Sequence, residues 1–247
     1  EQGVERIVAN IAQVGVEAAS VIPDIVSTTV NALPVSKRMR WGRTRYDFLR
    51  PVQWLVLLLG DSTLPLELFG RRSGRESRGH RFHANHAVSI AAPSDYIEAL
   101  RQAKVIADLD ERRAQVAEQV SQLQGKGEQV ALSKELLDEV TGLVEWPVAL
   151  RGSFDQGFLD VPAQALISAM KTHQKYFHLT DQETGALLPA FITVANIESQ
   201  QPSEVIAGNE RVIRPRLSDA AFFFANDKQS TLSSRQERLS SVIFQRE

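Results

Sequence analysis

The stretch Tyr176–Ile197 reads YFHLTDQETGALLPAFITVANI. Two segments rich in aromatic, branched and aliphatic side chains, Tyr176 to Leu179 and Leu187 to Ile197, flank Asp181-Gln182-Glu183-Thr184-Gly185. Those five residues are turn formers: Asp accepts bonds from the backbone just ahead of it, and Gly tolerates the left-handed region. Two strands joined by such a turn pair antiparallel, so the stretch predicts a hairpin. Upstream, Pro147 to Phe154 is a strand candidate, and Pro162 to Thr172 is a short helix with proline at its start. Sheet and helix segments therefore alternate without a βαβ rhythm. The class is α+β, an antiparallel or mixed sheet with packed helices.

Further towards the N-terminus the pattern becomes helical. Ser94-Asp95 caps a helix to about Val105, Asp108 to Leu123 carries a narrow stripe (Val116, Val120, Leu123), and Gly125-Lys126-Gly127 breaks it. Ser133 to Val144 is a third helix. Before these, Val52 to Leu59 is a continuous apolar run that predicts a buried strand, while Leu64 to Phe69 and Ala87 to Ala91 suit strands of an antiparallel sheet. Val4 to Gln13 alternates like a strand, and Glu17 to Asn31 reads as a helix whose start is drawn toward Pro23. The expected organisation is 1–93 as the first part of the α+β domain, 94–145 as a helical insertion, 146–200 as the second part, and 201–247 as a helical segment.

That last segment contains GNERVIRPRLSDAAFFFANDK, Gly208–Lys228. A residue before proline is pushed out of the helical region, so Arg214 is expected to end one element. Ser218 is a suitable N-cap for the next, with Asp219 in its first turn. Adjacent Phe222, Phe223 and Phe224 point about 100° apart on a helix, which predicts a helix buried on two sides and anchored in a core. Arg211, Arg214 and Arg216 form its basic edge.

A chain of 247 residues can bury a sizeable core, and 43% hydrophobic with 23% charged residues is the ordinary globular range. A net charge of −2 excludes a wholly basic nucleic-acid binder, so any RNA contact must come from local patches. No cysteine is present, which excludes disulfides and thiolate metal sites. No apolar run reaches the length of a membrane span, and Trp54 to Gly60 is far too short.

Two patches stand out. Lys37, Arg38, Arg40, Arg43, Arg45 and Arg50 are interleaved with Trp41, Tyr46 and Phe48, opposed only by Asp47. Cations beside rings can track a phosphate backbone and stack a base; the alternative is a solvated loop whose Trp plugs the core. The second patch, Arg71 to Arg81, includes Arg72, Arg75 and Arg78 with two glycines and two serines. It reads as a mobile basic loop able to hold a phosphate, though it lacks the Gly-Lys-Ser/Thr ending of a P-loop. His80, His83 and His86 are spaced by three, but in a strand or loop such positions face opposite ways, and no metal site is expected. Lys171, His173, Gln174 and Lys175 form a cationic corner without a paired nucleophile and base. Lys175 is the RNA-binding candidate there.

The order of short phrases along the chain resembles the beta chain of the bacterial two-subunit glycyl-tRNA synthetase. The phrases are Met39-Arg40-Trp41-Gly42, Arg50-Pro51-Val52, Arg78-Gly79-His80-Arg81-Phe82, Leu143-Val144-Glu145-Trp146-Pro147, Gln174-Lys175-Tyr176-Phe177, Val194-Ala195-Asn196-Ile197 and the Gly208–Lys228 stretch. They keep their order over about residues 22 to 245. The resemblance implies an internal fragment lacking the family's N-terminal segment and its C-terminal HD-like and anticodon-binding domains. It implies a cytoplasmic subunit of glycine–tRNA ligase, partnered with the alpha subunit as α2β2 and with tRNA(Gly), and not with a membrane. The ligase joins glycine to tRNA with conversion of ATP to AMP and diphosphate. The ATP (with Mg) and glycine site is then expected on the alpha chain, with no cofactor and no catalytic residue in this fragment, whose role would be tRNA binding and scaffolding. The middle of the beta chain is also similar to the editing-type B domain of the phenylalanyl-tRNA synthetase beta chain. An editing hydrolase acting on mischarged tRNA is therefore one alternative, and a generic RNA-binding or interaction module is another.

Overall fold

The computed structural model describes residues 15–239, with side chains to 236. The Val4–Gln13 strand expectation lies outside the described residues. The chain divides into two compact units: residues 1–79 with 85–99, and residues 80–84 with 100–247.

The first unit begins with α1 (Ala18–Ala32), which runs straight through Pro23. The helix therefore starts earlier than the proline suggested; Pro23 lies in its second turn, where it removes one backbone donor. Nine short strands follow: β1 (Met39–Arg40), β2 (Asp47–Phe48), β3 (Leu55–Val56), β4 (Leu58–Leu59), β5 (Ser62–Thr63), β6 (Glu67–Leu68), β7 (Arg71–Gly74), β8 (Glu76–Arg78) and β9 (Ala87–Ser89). β7 is central in a small sheet, parallel to β3 and antiparallel to β6. β1–β2, β4–β5 and β8–β9 are separate antiparallel pairs. The expected buried strand at Val52 to Leu59 is instead two two-residue strands, β3 and β4, and Trp54 is 45% exposed. Only Leu64, Leu68, Ser77 and Ile90 are buried among the described residues of this unit. An apolar run cannot become an interior strand where so little of the unit is interior.

The boundary between units falls inside α2 (Tyr96–Gln102). The second unit continues with α3 (Leu109–Gln122), β10 (Glu128–Val130), α4 (Lys134–Leu143), β11 (Val148–Ser153), α5 (Ala163–Ser168), β12 (Phe177–Asp181), β13 (Leu187–Ala195), α6 (Pro202–Asp227) and α7 (Leu232–Leu239). The Asp108 side chain accepts the Glu111 N–H at 2.9 Å, and Ser133 Oγ accepts the Leu136 N–H at 3.4 Å, so each helix is capped by the residue at which it was expected to begin. The hairpin is β12–β13, antiparallel, with Asp181 Oδ1 accepting the N–H groups of Glu183 and Thr184. It sits in the middle of a four-stranded antiparallel sheet ordered β10-β12-β13-β11. β10 was not foreseen: three residues after a double-glycine break carry too little pattern to read.

Alternation assigns the two sheet faces. Phe177, Leu179, Ala190 and Ile192 pack with Val116 and Val120 of α3 and Leu136, Leu137 and Val140 of α4. Leu187 and Phe191 point the other way, to Leu166 of α5, Met170, and Ile213 and Leu217 of α6. A sheet covered on both faces explains why Leu187 to Val194 reads as a nearly continuous apolar run. The helix expected over Pro162 to Thr172 is α5 continued by a π-helical turn, Ala169–Gln174, that ends on Lys175 in the left-handed region. α6 runs unbroken through Pro215. The expected break at Arg214 and restart at Ser218 do not occur, because Ile213 and Leu217, four residues apart, bury the same side of one helix.

Candidate nucleic-acid interface

In the β1–β2 hairpin, Arg40 stands opposite Asp47. Asp47 is however taken by Arg38, whose guanidinium lies 3.4 Å from it and also reaches the Asn31 carbonyl at 3.3 Å. Lys37, Arg40, Arg43 and Arg45 are exposed, and none has a carboxylate partner among the described residues. Trp41 is partly buried. Its ring packs edge-on against Phe69 at 6.0 Å, and Phe69 also meets Tyr46 and Phe48. Gly70, with φ +70°, lets the chain turn beside this knot; a Cβ there would meet the Tyr46 ring at 2.9 Å.

The second patch is not a mobile loop. Arg71 and Arg72 lie in β7 and Arg78 in β8. Arg72 faces Glu67 at 3.6 Å, both side chains largely in solvent, where such a pair contributes little. Arg75 is a strut: its guanidinium donates to the Asp61 carbonyl at 2.7 Å and the Ala91 carbonyl at 3.3 Å. Arg71 and Arg78 are exposed without a carboxylate partner among the described residues, and both border a cleft with Trp54. Arg81 belongs to the second unit, its guanidinium 5.9 Å from the Phe82 ring centre.

His80 is buried, and both its ring nitrogens are committed. Nδ1 accepts the N–H groups of Phe82 and His83 at 3.2 Å, so Nε2 carries the proton and donates to the Asn196 carbonyl at 2.9 Å. His83 Nε2 accepts the Glu198 N–H at 2.9 Å. The two rings lie 4.8 Å apart rather than on opposite faces, because residues 81–83 form a turn and not a strand. Asn196 completes the knot, its Oδ1 accepting the N–H groups of Glu145 and Trp146.

Elsewhere in the second unit Lys175 is held by Glu139 at 2.7 Å. Arg211, Arg214 and Arg216 are exposed on α6 with no carboxylate partner among the described residues. The expectation that three phenylalanines anchor this helix is corrected: Phe222 and Phe223 are 67% and 62% exposed, and only Phe224 packs against the core. The anchors are Ile213 and Leu217.

All of residues 1–247 match the family model described as glycyl-tRNA synthetase beta subunit. The chain belongs to the glycyl-tRNA synthetase beta subunit family. Over 232 residues it is 54% identical to the glycine–tRNA ligase beta subunit of Chromohalobacter salexigens, 52% to that of Pseudomonas fluorescens and 51% to that of Pseudomonas aeruginosa. Each match covers 94% of this chain and 34% of the relative, so the chain spans about a third of the length of the curated relatives it matches.

In this member of the beta-subunit family three glutamates are held below the usual carboxylate range by ion pairs, against the opposing effect of burial. The Arg151 guanidinium, at 2.5 and 2.8 Å, holds the Glu128 carboxyl down to about 2 against the opposing effect of burial. Arg101 lowers Glu111, Lys104 lowers Glu198, and burial alone pushes the Tyr176 hydroxyl up to about 12. Among the described residues no helix is long and apolar enough to cross a membrane. Trp54, inside the run expected to be buried, is instead 45% exposed and borders the cleft with Arg71 and Arg78.

Proposed function

We propose that this chain is the part of a glycine–tRNA ligase beta subunit that contacts tRNA(Gly) and supports the assembly without carrying the aminoacylation site. One observation carries the reading. Between residues 37 and 79 ten Lys and Arg stand against four Asp and Glu, and Arg40, Arg43, Arg45, Arg71 and Arg78 are exposed and unneutralised among the described residues. Guanidinium groups in that state displace counterions from phosphates, which supplies affinity without sequence readout. ATP, Mg and glycine then belong to the alpha subunit of a cytoplasmic α2β2 enzyme. The sheet of the second unit is read as the counterpart of the phenylalanyl-tRNA synthetase B domain, kept for binding rather than hydrolysis. The non-catalytic role is supported by Glu128, Glu111 and Glu198, whose shifts accompany ion pairs instead of an open reactive cleft.

The test is charge reversal of Arg40, Arg43 and Arg45 together in the full-length beta subunit with its alpha partner. Binding of tRNA(Gly) is titrated at several salt concentrations. The expected result is weaker binding and a log–log salt slope shallower by about 2 to 3, close to one per lost phosphate contact. An unchanged slope removes the hairpin from the interface.

A further inference from the structure

The first unit contains a cleft of about 470 Å³ lined in part by Trp54, Val56, Ser77, Ile90, Pro93 and Tyr96. Its size is that of a small-ligand site. A second and more polar cleft adjoins it: Trp54 and Ser77 line both, and the polar one is bordered by Arg71, Glu76 and Arg78. Strand alternation makes this junction. In β8 Ser77 is buried while its neighbours Glu76 and Arg78 are exposed. The frame is tied down for so small a unit. Arg75 braces the Asp61 and Ala91 carbonyls, its own carbonyl accepts the Ile90 N–H at 2.8 Å, and the Gly74 carbonyl accepts the Leu57 N–H at 3.3 Å.

An indole left 45% exposed, lining one cleft of mainly apolar side chains and a second one with Arg71 and Arg78, which have no carboxylate partner among the described residues, is an amphipathic arrangement. A nucleotide has matching parts: a flat apolar face, a polar edge and an anionic phosphate. An apolar peptide side chain fills the first cleft but leaves Arg71 and Arg78 without an anion. A base inside a duplex is stacked and cannot enter. Glu76 limits the polar cleft to a net single positive charge, which suits one phosphate better than a run of them. Its carboxylate also supplies an acceptor for a ribose hydroxyl or an exocyclic amine. We propose that the two clefts together take one unstacked nucleotide of an RNA single strand, with the base against Trp54 and Tyr96 and the phosphate on Arg71 and Arg78. This rests on the RNA-contact reading above and adds to it the kind of RNA recognised.

The experiment uses the full-length beta subunit with its alpha partner and two probes: intact tRNA(Gly), and single-stranded RNA hexamers with or without one abasic position. Wild-type protein should bind the intact hexamer about tenfold more tightly than the abasic one, the worth of one stacked base. Trp54→Ala should abolish that difference and Trp54→Phe should retain most of it, with thermal midpoints confirming that both variants fold. Arg71→Gln with Arg78→Gln should weaken both hexamers alike and reduce the salt slope by about 0.7, the share of one phosphate on a single strand. If tRNA binds with arginine and salt dependence but Trp54→Ala still discriminates the abasic hexamer, the nucleotide site is wrong and the broader reading stands. If wild-type protein binds neither RNA, both fall. If Trp54→Ala leaves RNA binding intact but loosens the alpha partner, the cleft is a protein contact and the proposal is overturned.

Discussion

Gly152 shows how much one absent side chain decides. It lies in β11 opposite Phe191 of β13, and a Cβ added there would meet the Phe191 ring at 2.5 Å. That ring cannot retreat, because its other face stacks on Tyr176 at 4.5 Å with 9° between planes. Tyr176 is fixed in turn by its hydroxyl, which donates to Asn209 Oδ1 at 2.7 Å. Gly152→Ala should therefore overpack the core and cost about 1–3 kcal/mol, read as a fall of several degrees in thermal midpoint. An unchanged midpoint would show that Phe191 has room to move. At the same scale, single arginines divide by use. Arg38 and Arg75 are held by protein acceptors while Arg40 and Arg78 have no carboxylate partner among the described residues, a division that spacing in the sequence does not contain.

The element that departs most from its sequence reading is α6. Local rules break it at Pro215, and local composition places its anchor at Phe222 to Phe224. Tertiary packing overrides both, since the helix keeps Ile213 and Leu217 fully buried and leaves Phe222 in solvent. Leu217→Ala in this chain should cost about 2–5 kcal/mol, whereas Phe222→Ala should stay within about 0.5 kcal/mol of neutral. Urea denaturation midpoints of the two variants check the contrast; the reverse order would restore the phenylalanines as the anchor. The hairpin β12–β13 behaves oppositely. Its turn chemistry and apolar runs agree with its place in the sheet, and it was legible for that reason.

Across the whole molecule, buried side chains concentrate in the second unit. The four-stranded sheet has hydrophobic clusters on both faces, whereas the first unit's strands are two to four residues long. Hydrogen exchange should reflect that difference. Amides of β11, β12 and β13 should be the slowest, and those of β1 to β6 should exchange far sooner. Equal protection across both units, measured by mass spectrometry of peptide fragments, would contradict this. The thin interior of the first unit also explains the Val52–Leu59 misreading. Apolar runs signal burial only where a second layer exists to bury them, and here part of the run lines an open cleft instead.

The α+β class, the hairpin, the starting residues of α3 and α4 and, through seven ordered phrases, the family are legible in the order of residues alone. Those features are local: a turn, a cap or a phrase is complete within a few residues. Folding settles which arginines lack a carboxylate partner among the described residues, why α6 continues through a proline, why His80 is a buried strut, and that Trp54 opens onto a cleft. Each of these depends on a partner far away in the chain. Asn196 for His80 is 116 residues distant, and Tyr96 beside Trp54 comes from another element. No local pattern encodes which distant group folding will bring alongside.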